Sequence, residues 1–156
     1  MILPLGGRGG GAGRCRMRRE APQKERALII LPIALVTAGV AALINIWLGY
    51  RIGQIRTAEK ISVGDGGNLR LIARMRAQLN FAEYTPIVLI LIALIEFAHG
   101  SPLWLWIVAM LFIFGRLLHP FGMDGAPYCR TIATLISMLT SAGLGLYAVS
   151  SIYLGG

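Results

Sequence analysis

Charge is what this sequence has least of. Only 14% of its 156 residues are Asp, Glu, Lys or Arg, where about a quarter is usual in soluble domains. That deficit excludes an ordinary water-facing surface over most of the chain. Acidic residues are scarcest, seven against fifteen Lys and Arg. Cysteine and histidine number two each. Cys15 and Cys129 make neither a disulfide framework nor a Cys-x-x-Cys spacing, and His99 and His119 are too few and too far apart to argue for a metal. Cys129 has no His or acid at helical spacing, which favours a buried or interfacial cysteine over a nucleophile. Nucleotide signatures are missing as well. The turn Gly64-Asp65-Gly66-Gly67 has no lysine-serine pair and no strand, so it matches neither a phosphate loop nor a dinucleotide fingerprint.

Apolar residues are abundant instead, at 56% of the chain with a mean hydropathy of +0.67. Whole-chain disorder is thereby excluded, and the length suits one domain. Four apolar runs span residues 27–48, 80–98, 102–118 and 132–154, each about as long as a bilayer crossing requires. None alternates with the two-residue period of a barrel strand. The expected fold is therefore all-α, an integral membrane four-helix bundle over residues 27–154. His99-Gly100-Ser101-Pro102 predicts a glycine stop for helix two, then a serine N-cap and first-position proline for helix three. Pro120 to Tyr128 reads as a turn. Asn68 onward carries no breaker before Pro86, so helix two is predicted to start about three turns before its apolar run.

Residues 1–26 are Gly- and Arg-rich, and read as a disordered basic tail. Met17 is a candidate natural start, with residues 1–16 a start-site extension. Four spans place both termini on one side, with seven Lys or Arg against eight on the other; a start at Met17 leaves four against eight. The positive-inside rule then puts the 49–79 loop in the cytoplasm and both termini outside. The net charge of +8 thus belongs to a tail and to one membrane face rather than to a nucleic-acid patch.

The run 80–98 is the span with chemistry in it, because it carries Glu83 and Glu96. At about 100° per residue, with Arg76 at zero, Asn80 falls near +40°, Glu83 near −20° and Tyr84 near +80°. Both charge signs, an amide and a phenol thus share one face. These groups either satisfy one another between helices or hold a zwitterionic, carboxylate-bearing ligand; the mixture of signs favours the ligand. Arg70 and Arg74 fall off this stripe as a separate solvated or phospholipid-facing pair, and Gln78 lies off its centre. Glu96, beside His99, is expected at a solvated helix end; Asn45 reads either as glue between helices or as a neighbour of the site, with glue preferred. Arg116 and His119 share a face at the end of helix three, and Arg130 stands at the start of helix four, where the helix dipole favours an anion such as a thiolate. Snorkelling of Arg116 and Arg130 to headgroups accounts for them equally well.

Arg76-Ala77-Gln78-Leu79-Asn80-Phe81-Ala82-Glu83-Tyr84-Thr85-Pro86 resembles the helix-two signature of the MAPEG superfamily, the membrane-associated proteins of eicosanoid and glutathione metabolism. Gly115-Arg116-Leu117-Leu118-His119 resembles that family's helix-three end, and the Gly64 to Gly67 turn its bacterial members. The resemblance implies a homotrimer in a bacterial inner membrane, with glutathione as co-substrate between subunits at the cytoplasmic side. It implies that Arg76, Asn80, Glu83 and Tyr84 hold the tripeptide, with Arg56, Gln78 and Arg116 as further contacts. Arg130 would be catalytic and stabilise the thiolate, whose parent thiol has a reference pKa of about 8.5. A lipophilic electrophile or hydroperoxide would enter from the bilayer, and no metal is implied. Several catalytic members carry a tyrosine four residues after the helix-three histidine; Met123 stands there here, and Pro120 directly follows His119. Two further readings are a non-catalytic membrane protein binding lipid or a partner protein and, ranked last, a small transporter.

Overall fold

The computed structural model describes residues 30–154, so the expectations for the basic tail and for the natural start lie outside the described residues. Within them the chain is all-α, with four helices: α1 Pro32–Ala58, α2 Leu69–His99, α3 Leu103–Met123 and α4 Pro127–Leu154. Each is long and apolar enough to cross a membrane. Leu35, Leu94, Ile107 and Leu139 are more than half exposed on the bundle's outer faces, as lipid or a neighbouring copy permits and water does not.

Helical periodicity selects the inner faces. On α1, Ile33, Thr37, Ala41, Ile44 and Leu48 recur every three or four residues and are all buried, one stripe of a 3.6-residue helix. Its apolar members, Ile33, Ala41, Ile44 and Leu48, share a core with Val88, Ile92, Leu105, Ala109 and Phe112 of α2 and α3. In a bilayer this packing acts through close van der Waals contact, since lipid tails are as apolar as leucine.

The helices outrun the apolar runs at the end that carries the arginines. α1 continues to Ala58 and closes with Lys60 at φ 54, where the Ile61 N–H reaches the Arg56 carbonyl at 2.9 Å. This six-to-one bond is a Schellman closure, here on a non-glycine residue. Ile61 then packs with Ile52, Ile55 and Leu71, which anchors the loop beside the backbone of Arg56. Asn68 caps α2 by accepting from the N–H groups of Arg70 and Leu71 at 3.0 and 3.1 Å, so α2 does begin well before its apolar run. Gly100 stops it at φ 78, a left-handed conformation that glycine adopts without steric cost.

Three expectations are corrected. Glu96 is not at a solvated end: it is 2% exposed and accepts from the Ile33 and Ala34 N–H groups at 2.9 and 2.8 Å. It is the anion that caps α1, whose own N-cap, Leu31, offers no side-chain acceptor. Ser101 does not cap α3 either: the N-cap position falls one residue later, on Pro102, and the Ser101 hydroxyl donates to Glu96 at 2.6 Å. Finally, α3 does not end before Pro120. The proline lies inside the helix, and the last turn is held by packing of Phe121 on Trp47, ring centres 5.9 Å apart, and of Gly122 on α4.

Arg74 also departs from the solvated pair expected of it. Its Nη1 donates to the Arg51 carbonyl at 2.7 Å, and its Nε lies 3.8 Å from Asp124. Arg51, buried beneath the Trp47 ring at 4.8 Å, donates to the same carboxylate. One acid at the end of α3 thus ties α1 and α2 together. Asp124→Asn is expected to lower stability by about 2 kcal/mol, because it leaves a buried guanidinium without its counter-charge. Thermal unfolding in detergent checks this, and an unchanged midpoint refutes it.

Candidate functional site

α2 is the wall between two recesses. On one side a cleft of about 360 Å³ is lined by Arg76, Leu79, Asn80 and Glu83 from α2, His119 and Met123 from α3, and Arg130 from α4. On the other, a groove of about 800 Å³ between α1 and α2 is lined by Asn45, Arg56, Asp65, Met75, Arg76 and Gln78 among others. Arg76 and Leu79 border both. Both volumes lie in the range of small-molecule sites.

The cleft is built by periodicity and by one close approach. Arg76, Asn80 and Glu83 stand three and four residues apart, so they share a face of α2. Arg130 arrives from the first turn of α4 because the backbones of α3 and α4 nearly touch. A Cβ on Gly122 would lie 2.2 Å from the Arg130 nitrogen and 2.6 Å from its Cα. Only glycine leaves room for that crossing. Seven residues earlier, a Cβ on Gly115 would meet Ile136 at 2.9 Å, so α4 runs down one glycine-lined face of α3.

Electrostatically the cleft offers two guanidinium groups and a carboxylate, with an amide and an imidazole between them. Such a set can bind a ligand that carries carboxylates and an ammonium group. Arg130 lies in the first turn of α4, where the unpaired N–H groups of the helix add positive potential. Met123 contributes a thioether, which accepts weakly and donates nothing.

The eight residues singled out from the sequence are thus divided. Arg76, Asn80, Glu83 and Arg130 meet in the cleft. Arg56 and Gln78 line the groove across α2, with Arg76 reaching both. Gln78 donates to Asn45 at 3.5 Å, while Arg56 reaches the Met75 sulfur at 3.6 Å and the Ser62 carbonyl at 3.4 Å. Tyr84 and Arg116 line neither recess. Arg116 is enclosed in the bundle, with its Cζ 5.6 Å from the Tyr84 ring centre. Two contributors escaped the sequence reading. Asp65 puts an acid in the groove, and the Gly-Asp-Gly-Gly turn was its available signal. Gly122 sets the α3–α4 crossing, signalled by its seven-residue spacing from Gly115.

The sequence profile of the MAPEG family matches residues 34–150, which include every residue of the cleft. Two curated relatives are both named inner membrane protein YecN, from Escherichia coli strain K12 and from Escherichia coli O6:H1 strain CFT073. Each is 28% identical over 91 residues, covering 58% of this chain and 69% of the relative.

Proposed function

Because the chain belongs to the MAPEG family and is an integral membrane protein of four helices, we propose that it is a glutathione-dependent transferase or peroxidase acting on lipophilic substrates. The observation that carries this reading is the cleft itself, which collects Arg76, Asn80, Glu83 and Arg130 from helices distant in sequence. Glutathione has two carboxylates, an ammonium group and a thiol. Arg76 and Asn80 supply donors for its carboxylates and peptide carbonyls, Glu83 a counter-charge for its ammonium group, and Arg130 a cation for its sulfur. The mechanism needs no protein cysteine. The thiol proton leaves to solvent, the sulfur pair attacks an electrophilic carbon, and the leaving group departs as the S–C bond forms. With a hydroperoxide the sulfur pair attacks the terminal oxygen, the O–O bond breaks and the alkoxide leaves as the alcohol after taking a proton. A second glutathione then reduces the sulfenic acid, giving glutathione disulfide and water.

The family resemblance implies a homotrimer, and the division of the residues suits a closed ring of copies. Arg56 and Gln78 face away from the cleft of their own chain, so a neighbouring copy in a closed ring would bring its groove against that cleft. Eight Lys and Arg on this side, against four on the other for a start at Met17, favour a cytoplasmic site with both termini outside, and the relatives' name favours the inner membrane.

Detergent-purified protein given glutathione is expected to develop thiolate ultraviolet absorbance near neutral pH. Arg130→Ala should cut the thiolate fraction about tenfold, as a one-unit rise in thiol pKa implies, while Arg76→Ala should weaken glutathione binding. Absence of a thiolate signal from the native chain would rule out catalysis by this route. A second reading, a non-catalytic membrane protein that binds lipid or a partner protein, is favoured by one observation. Met123 lines the cleft with a group that donates no hydrogen bond to a substrate oxygen. Glutathione binding without thiolate formation supports that reading.

A further inference from the structure

The proposed site leaves the buried guanidinium of Arg116 unused. Arg116 is 1% exposed and lies behind the cleft rather than in it. Its Nη1 donates to the Asn80 carbonyl at 3.2 Å and to Asn80 Oδ1 at 3.0 Å. Its Nη2 donates to the Ser137 hydroxyl, which donates in turn to the Ala133 carbonyl at 2.9 Å. The Tyr84 and Phe112 rings lie over the guanidinium, each centre 5.6 Å away.

Donor and acceptor chemistry gives this chain of contacts a direction. A guanidinium has donors and no acceptor, so the carboxamide atom facing Arg116 must be the oxygen. The NH2 end of Asn80 is thereby turned away from Arg116, on a residue that lines the cleft. We propose that Arg116 is a positioning residue, which fixes the Asn80 amide with its nitrogen toward the cleft as a donor to a ligand carboxylate or peptide carbonyl. The ligand half of this proposal rests on the glutathione reading of the cleft. An asparagine without such an anchor can present either end of its amide, and the oxygen end repels a carboxylate. Ser137 ties the same guanidinium to α4, the helix that brings Arg130, so one group sets two walls of the cleft.

Asn80→Asp separates positioning from simple packing. The carboxylate keeps the pair with Arg116, but it presents oxygen to the cleft where the amide presents N–H. The chain contains three asparagines, Asn45, Asn68 and Asn80. Asparagine-selective 15N labelling of the detergent-solubilised full chain therefore yields three side-chain NH2 signals, with that of Asn80 assigned by its loss in Asn80→Asp. The native chain is expected to show a sharp Asn80 signal that shifts on addition of reduced glutathione. In Arg116→Lys that signal should move and broaden, because an ammonium is a point donor that cannot hold Asn80 and Ser137 in the same fork. The glutathione Kd is expected to rise about tenfold in Arg116→Lys and about a hundredfold in Asn80→Asp, with the unfolding temperature of Asn80→Asp at or above that of the native chain.

An Asn80 signal identical in the native chain and in Arg116→Lys overturns the proposal. So does native glutathione affinity in Asn80→Asp, or glutathione binding that leaves the Asn80 signal in place. Should Arg116→Lys fail to fold, Ser137→Ala reads the same anchor from its other side and is expected to broaden the Asn80 signal. If the native chain binds no glutathione, the functional reading of the cleft fails, while the Arg116→Lys comparison still decides whether Arg116 orients the amide.

Discussion

Replacing Gly122 by alanine is expected to abolish thiolate formation and to destabilise the bundle together. The added Cβ would lie 2.2 Å from the Arg130 nitrogen and 2.6 Å from its Cα. Those are backbone atoms within a helix, so no flexible side-chain tip can yield. Either α3 and α4 separate by an ångström or more, or the last turn of α3 unwinds past Pro120. Both displace Arg130 relative to Arg76 and Glu83. Overpacking of this kind costs about 1–3 kcal/mol, and loss of Arg130 from the cleft removes the cation proposed to face the sulfur. Glutathione-induced ultraviolet absorbance and thermal unfolding of Gly122→Ala check the two halves separately. Gly115→Ala is the useful comparison, because its Cβ meets the Ile136 side chain at 2.9 Å, which can shift; a milder loss is expected. Native thiolate absorbance in Gly122→Ala would show that the crossing does not position Arg130.

The second large effect belongs to Glu96. Its carboxylate accepts from the Ile33 and Ala34 N–H groups and from the Ser101 hydroxyl. Glu96→Ala leaves the first turn of α1 uncapped and buried. A lost N-cap costs about 1 kcal/mol, and each buried donor left without a partner about 1–3 kcal/mol, so a loss of about 3 kcal/mol is expected. Glu96→Gln should recover part of it, since the amide keeps one acceptor oxygen but points an NH2 at groups that already donate. The expected order of unfolding midpoints is native, then Gln, then Ala. Equal midpoints for all three would mean that α1 needs no partner at its start.

Both residues show where legibility ended. The four helices and the Arg76, Asn80, Glu83 face were readable because each is a property of one segment: apolar length in the first case, angular spacing in the second. Glu96 was misread because the two backbone N–H groups it accepts from belong to a helix more than sixty residues away, and no local signal separates a carboxylate at a wet helix end from one capping a neighbour. Gly122 was assigned to a loop because Pro120 read as a terminator, whereas tertiary packing carries the helix one turn beyond it. Arg74 looked solvated for the same reason, since its partners, the Arg51 carbonyl and Asp124, come from other helices. The wheel was right to set Arg74 apart from Arg76. Angular position alone could not say that the far side of α2 was also covered. Arg116, expected to touch glutathione, is enclosed against Asn80 and Ser137, a placement that depends on how α3 and α4 cross.

The Arg51, Arg74 and Asp124 cluster has a bearing on biogenesis. An inserting chain is oriented by its Lys and Arg, to which acidic residues contribute little, and at that stage these helices have not yet packed. Arg51 and Arg74 are therefore expected to act first as free charges that retain their flank on one face of the bilayer. After folding they share one carboxylate and hold the ends of three helices together. Asp124→Asn should accordingly loosen the finished bundle without inverting it.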